Sequence, residues 1–132
     1  MTRKIDITSG QIRMEAELNR TGTADLILEQ LPLTGRVNTW GDEIYFAIPV
    51  SAKPENAVSA VEVGDLAYWP EGRAFCIFFG RTPASTAEEI RPASPVNPIG
   101  RLLGDPKAWK AVKAGEKITL KKADRINVES DS

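Results

Sequence analysis

Residues 66–79 restrict the fold of this chain more than any other stretch. Leu66-Ala67-Tyr68-Trp69 and Ala74-Phe75-Cys76-Ile77-Phe78-Phe79 flank Pro70-Glu71-Gly72, a turn triplet between two β-prone runs. A turn at Glu71-Gly72 pairs Trp69 with Ala74 and Tyr68 with Phe75. Leu66, Tyr68, Phe75, Ile77 and Phe79 then share one face, and Ala67, Trp69, Ala74, Cys76 and Phe78 share the other. Successive strand side chains point to opposite sides, so one face belongs to a core. The other is apolar too, and it needs a cover or forms a surface site.

The rest of the chain supplies more strands than helices. Ile12, Met14, Ala16 and Leu18 alternate with Gln11, Arg13, Glu15 and Glu17, the pattern of a half-buried strand. A Ser9-Gly10 turn sets Ile7 against Ile12, Ile5 against Met14, Asp6 against Arg13 and Lys4 against Glu15. Thr23 is the expected N-cap of a helix carrying Ala24, Ile27, Leu28 and Leu31 on one face and ending at Pro32. Ile44, Phe46 and Ile48 form the buried side of the next strand, with Glu43 and Tyr45 facing the other way. Residues 81–98 form a long proline-punctuated loop with a helical turn expected at Thr86-Ala87-Glu88-Glu89, and loops of this length are often functional. A strand from Ile99 follows, then a helix capped by Asp105 with Pro106 first and ending at Lys113, then a final strand from Lys117 to Lys121.

At 132 residues the chain has the size of one domain, expected over 1–126 with a frayed tail at 127–132. It contains no histidine, which removes Ser-His-Asp and Cys-His chemistry and the usual zinc ligand sets. A general acid or base would have to be a carboxylate, lysine, tyrosine or cysteine with a displaced pKa. No metal and no cofactor are expected. A net charge of −1 argues against nucleic-acid binding. The lysines at 107, 110, 113, 117, 121 and 122 read as a solvated face, with an acidic-partner surface as the alternative. No apolar run approaches the ~20 residues of a membrane span, and Met1-Thr2-Arg3-Lys4-Ile5-Asp6 lacks the apolar core of a signal peptide. A lone cysteine fits a reducing compartment, so a cytoplasmic protein is expected.

Four segments carry a resemblance: Trp40-Gly41-Asp42-Glu43-Ile44-Tyr45-Phe46, Gly64-Asp65-Leu66-Ala67-Tyr68-Trp69-Pro70, Phe78-Phe79-Gly80-Arg81-Thr82-Pro83 and Ala93-Ser94-Pro95-Val96-Asn97-Pro98-Ile99-Gly100. Over nearly its whole length the chain resembles the small bacterial and archaeal cyclophilin-like proteins. The resemblance implies a mainly β fold, a closed eight-stranded antiparallel barrel with two short helices over its ends. Prolyl isomerases of the wider cyclophilin fold use an arginine, a glutamine, aromatic groups and a histidine in an outer cleft. By resemblance the arginine strand is residues 43–50, which contain no arginine. The glutamine and second aromatic positions fall on Ala74 and Cys76, and the histidine falls near Val96.

What replaces those groups is a different cleft, in which Trp69 stands beside Ala74 and Cys76, with Glu43 and Tyr45 on the neighbouring strand. The site expected from this pattern comprises Trp40, Glu43, Tyr45, Trp69, Cys76 and Phe78, with Arg81 and Arg101 as cations for a peptide carbonyl or carboxylate. Loop 81–98 serves either as its lid or as a permanent cover. Trp69 is either a binding platform or an aromatic packed beneath that loop. Cys76 reads as a packing residue, since no histidine or clear cation is present to lower its pKa. The function expected is that of a module binding a small ligand or peptide segment with little or no catalysis. The ligand would be partly apolar and carry a hydrogen-bond donor or positive charge. A prolyl isomerase with a rearranged site, or an interaction domain of an amidohydrolase-type complex, are the alternatives the resemblance implies.

Overall fold

A computed structural model of the chain describes residues 3–123. The tail expected at 127–132 lies outside the described residues. Nine strands form one antiparallel sheet: β1 (Lys4–Ser9), β2 (Ile12–Leu18), β3 (Leu33–Arg36), β4 (Asn38–Thr39), β5 (Glu43–Ala47), β6 (Asp65–Trp69), β7 (Ala74–Phe78), β8 (Asn97–Leu102) and β9 (Lys117–Lys122). Their spatial order is β3-β9-β1-β2-β8-β6-β7-β5-β4. The two edge strands, β3 and β4, are consecutive in the chain and separated only by Val37. The sheet therefore curls until its ends meet. Val37 continues the ladder through the kink, donating to the Glu116 carbonyl at 2.8 Å and accepting from the Gly115 N–H at 2.8 Å. Taken as one bent strand, β3 and β4 reduce the nine segments to the eight expected.

The barrel interior follows the period-2 reading. Ile44, Phe46, Leu66, Tyr68, Phe75 and Ile77 are fully buried, and they join Ile5, Ile7, Leu18, Ile99, Ile118 and Leu120 in one cluster. Tyr68 carries the polar group of this core, and its hydroxyl donates to the Val50 carbonyl at 2.6 Å, which removes the penalty of burying it. The central hairpin has the register expected, with Trp69 opposite Ala74 and Tyr68 opposite Phe75.

The first hairpin does not. Its turn is Gly10-Gln11, and Ile7 lies opposite Met14, with Ser9 opposite Ile12. Gly10 takes φ of +58°, the left-handed conformation demanded of the first residue in a type II′ hairpin turn. The slip is two residues, so every side chain keeps its face. Asp6 now faces Glu15 but still reaches Arg13 diagonally, at 3.2 Å.

The helix α1 (Gly22–Gln30) begins earlier than expected. Thr21 is its cap, accepting from the Ala24 N–H at 3.2 Å. Thr23 instead donates to the Glu55 carboxylate at 2.6 Å, and the Gly22 and Thr23 N–H groups donate to the same carboxylate at 2.9 and 2.8 Å. These bonds hold the Glu55 pKa below its ordinary value. Asn97 completes the knot by accepting from the Glu55 N–H at 2.9 Å and donating to Thr23 at 3.1 Å. After β8, Asp105 caps a 3-10 helix over Pro106–Ala111, shorter than the helix expected to reach Lys113. It drives Trp109 fully into the core. The turn expected at residues 86–89 is a non-helical bend in which the Thr86 hydroxyl accepts from the Glu88 and Glu89 N–H groups. β8 starts at Asn97, and Pro98 is accommodated where the β6–β8 register shifts, a setting in which a strand proline leaves no broken ladder.

Candidate functional site

The strands that fill the barrel with alternate residues present the remaining ones outside it. On β5, β6 and β7 the register brings Glu43 opposite Phe78, Tyr45 opposite Cys76, Cys76 opposite Ala67 and Ala74 opposite Trp69. Small Ala67, Ala74 and Cys76 leave a shallow floor between larger groups. The cover comes from two irregular segments. Val58 bridges to Val96 and Val61 to Ile90, so Val61, Ala67, Cys76, Phe78 and Val96 form a second buried cluster outside the barrel. The long loop is thus packed down rather than detached.

Trp69 is packed beneath the loop, as one of its two expected readings has it, and it also borders the cavity between loop and strands. Its indole N–H donates to the Ser94 hydroxyl of the loop at 2.6 Å, and its ring meets Tyr45 edge-on, with centroids 6.0 Å apart and planes at 84°. Gly72 lets the ring fold back over the turn, since a Cβ there would stand 2.3 Å from Trp69 Cε3. Between loop and strands remains a cavity of about 190 Å³ lined by Trp40, Glu43, Tyr45, Trp69, Pro92, Ala93 and Val96. Trp40 is placed by the β4–β5 turn, where Trp40 and Glu43 exchange backbone hydrogen bonds of 2.9 and 3.2 Å. Val96, where the resemblance put the histidine of the isomerase cleft, is part of the wall.

Glu43 is the one carboxyl in this wall and is only 5% exposed. Burial raises its pKa from 4.5 to about 7, and a hydrogen bond from the Cys76 thiol opposes part of that rise. Cys76 is fully enclosed beneath it. Burial, followed by the neighbouring Glu43, pushes the thiol well above its ordinary range, so it stays protonated, with the Ala74 carbonyl as a second acceptor 3.9 Å from its sulfur. Among the described residues no lysine or arginine lines the cavity. Glu43 therefore sits near its midpoint at neutral pH, next to aromatic rings, with a thiol as its partner. A group in that state can accept a hydrogen bond or a cation, or exchange a proton.

The structure brings together Trp40, Glu43, Tyr45 and Trp69. Cys76 and Phe78 lie under the cavity floor, fully buried. The two arginines are elsewhere. Arg81 donates to the Thr86 carbonyl within the loop. Arg101 pairs with Asp65 and lines a different, open groove with Arg3, Glu17, Asn19 and Arg20. Pro92, Ala93 and Ser94 complete the site without having been singled out. Among the described residues no group of three or more Cys, Asp and Glu is placed to hold a metal ion, and no helix is long and apolar enough to cross a membrane.

A family model described as Cyclophilin-like matches residues 3–121. The solution structure of a hypothetical protein from Archaeoglobus fulgidus is 38% identical, with a TM-score of 0.78 over 92% of this chain and 95% of that one. McbB, solved in complex with tryptophan, shares the fold at a TM-score of 0.68 and 15% identity. That match covers 91% of this chain and 45% of McbB. No curated protein matches the chain.

Proposed function

This chain belongs to the cyclophilin-like family, and from that premise we propose that it is a binding protein whose outer cavity takes a small molecule or one side chain of a peptide. The observation that carries this reading is Glu43, a carboxyl almost wholly withdrawn from water yet facing an aromatic-walled space. Burying such a group costs stability unless something compensates, and a bound donor supplies the compensation. Ligand sites combine an apolar lining with a few convergent polar groups. A volume of about 190 Å³ suits one ring-sized or branched group rather than an extended substrate.

Rotation about a prolyl bond faces a barrier of ~18–20 kcal/mol, and lowering it needs donors aimed at the twisted amide. Among the described residues no arginine lines this cavity, so a coupled peptide assay is expected to show no acceleration over the uncatalysed rate. Turnover abolished by Arg81→Ala or Arg101→Ala would favour an isomerase instead. The binding reading is tested by NMR titration against a library of small aromatic, aliphatic and dipeptide probes. Shifts centred on Trp40, Glu43, Tyr45 and the Trp69 indole are expected. A library that leaves those signals and the melting temperature unmoved would remove the binding role.

A further inference from the structure

Resting on that binding reading, we propose that the group entering the cavity is an organic cation, an alkyl- or methyl-substituted ammonium held against Glu43 and the rings of Trp40, Tyr45 and Trp69. Three features of the wall select this chemistry over a neutral or anionic group. Among the described residues its lining holds one carboxyl and no basic side chain, so a positive charge there is one the ligand brings. Tyr45 and Trp69 meet at 84° and make two walls of a corner, and aromatic faces attract a cation by their quadrupole, most strongly when it is desolvated. The remaining walls, Pro92, Ala93 and Val96, are apolar and suit methyl groups rather than a hydration shell. A hydrated metal ion gains nothing from such walls, and an anion meets Glu43.

The charge state of the cavity is set by few groups. Glu43 ionises near pH 7. From β7 the Cys76 thiol faces it and is held neutral, and from its own strand Tyr45 adds a phenol. Among the loop's charged groups, Arg91 is paired with Glu89 at 2.8 Å, and Arg81 is turned to the Thr86 carbonyl. A cation therefore competes with one proton for one carboxylate. Its affinity should fall as pH drops below about 7, approaching tenfold per pH unit, while a neutral ligand shows no such fall.

The test compares choline with its uncharged isostere 3,3-dimethylbutan-1-ol and with 3,3-dimethylbutanoate, at fixed ionic strength, by NMR titration of the Trp69 indole N–H and Tyr45 signals. At pH 8 choline should bind at least tenfold more tightly than the alcohol, and the anion should not bind. That preference should shrink at pH 6 and fall at least as far in Glu43→Gln, where only the aromatic rings still favour the charge. Trp40→Leu, which leaves the carboxyl in place, should reduce choline affinity more than alcohol affinity. If the alcohol binds the cavity as tightly as choline at pH 8, the cation assignment is wrong while the binding site stands. If none of the three probes and no member of the broader library moves these signals, both fall.

Discussion

The inner and outer faces of β5, β6 and β7 are built from alternate residues of the same strands, yet they are different kinds of surface. Inward, Ile44, Phe46, Leu66, Tyr68, Phe75 and Ile77 are fully buried, and the one hydroxyl among them has its acceptor. Outward, Trp40, Tyr45 and Trp69 border a void together with Glu43, a carboxyl with a displaced pKa. The inner side chains are withdrawn from solvent, whereas the outer face leaves a cavity beside a carboxyl that has no basic side chain among the described lining residues. A strand pleat thus lets one stretch of sequence fill a core on one side and border the proposed binding cavity on the other. The loop over the outer face is tied down by the bridges of Val58 to Val96 and Val61 to Ile90 and by the bond from the Trp69 indole to Ser94.

Substitutions on the two faces should differ in size and, in one case, in sign. Phe75→Ala empties a ring-sized space against Phe46, whose centroid lies 5.4 Å away, and should cost about 4 kcal/mol in denaturant unfolding. A loss near 1 kcal/mol would mean that the inner face is not the close-packed one. Glu43→Gln should go the other way. Folding holds this acid protonated above its ordinary 4.5, so its contribution to stability is full below that pH and is lost as pH rises through about 7. A displacement of that size corresponds to up to about 3 kcal/mol, at 1.36 kcal/mol per pH unit. The glutamine variant should therefore be more stable than the parent at pH 8, with a flatter stability profile between pH 4 and 8. Equal profiles for the two proteins would show that Glu43 is not strained by its burial.

Smaller effects are expected at the loop. Trp69→Ala, at a half-buried ring, should cost about 2 kcal/mol, less than the inner phenylalanine. Ser94→Ala removes the acceptor of the indole N–H and should cost about 1 kcal/mol. It should also increase hydrogen exchange at residues 90–96 without affecting the barrel amides. Exchange rising equally in both would argue that the outer cluster and the barrel open as one unit.

How much of this could be read from the sequence depended on what each signal can distinguish. The central hairpin was legible to the residue because Pro70-Glu71-Gly72 fixes the turn and both strands alternate. In the first hairpin the same alternation is unchanged by a slip of two, and only the choice between Ser9-Gly10 and Gly10-Gln11 decides it. Thr21 and Thr23 are both capping types. The one that caps is settled by Glu55, a partner more than thirty residues away that draws off Thr23. At the site, period 2 correctly placed Glu43, Tyr45 and Trp69 on one face but carried no information about depth, so Cys76 and Phe78 joined the expected lining although they lie beneath it. Arg81 and Arg101 were chosen for charge, and charge does not say where a side chain goes. Pro92, Ala93 and Ser94 belong to an aperiodic loop whose position is set by the bridges of Val58 to Val96 and Val61 to Ile90, which no local pattern encodes.

The proposed site centres on Glu43, a buried carboxyl with no basic side chain among the described residues that line its cavity. A direct measurement is the side-chain titration of Glu43, followed at its carboxyl carbon by NMR with and without saturating choline. A free-protein pKa of about 7 is expected, moving down by at least one unit when choline is bound. A carboxyl titrating near its ordinary 4.5 and indifferent to choline would contradict the proposal.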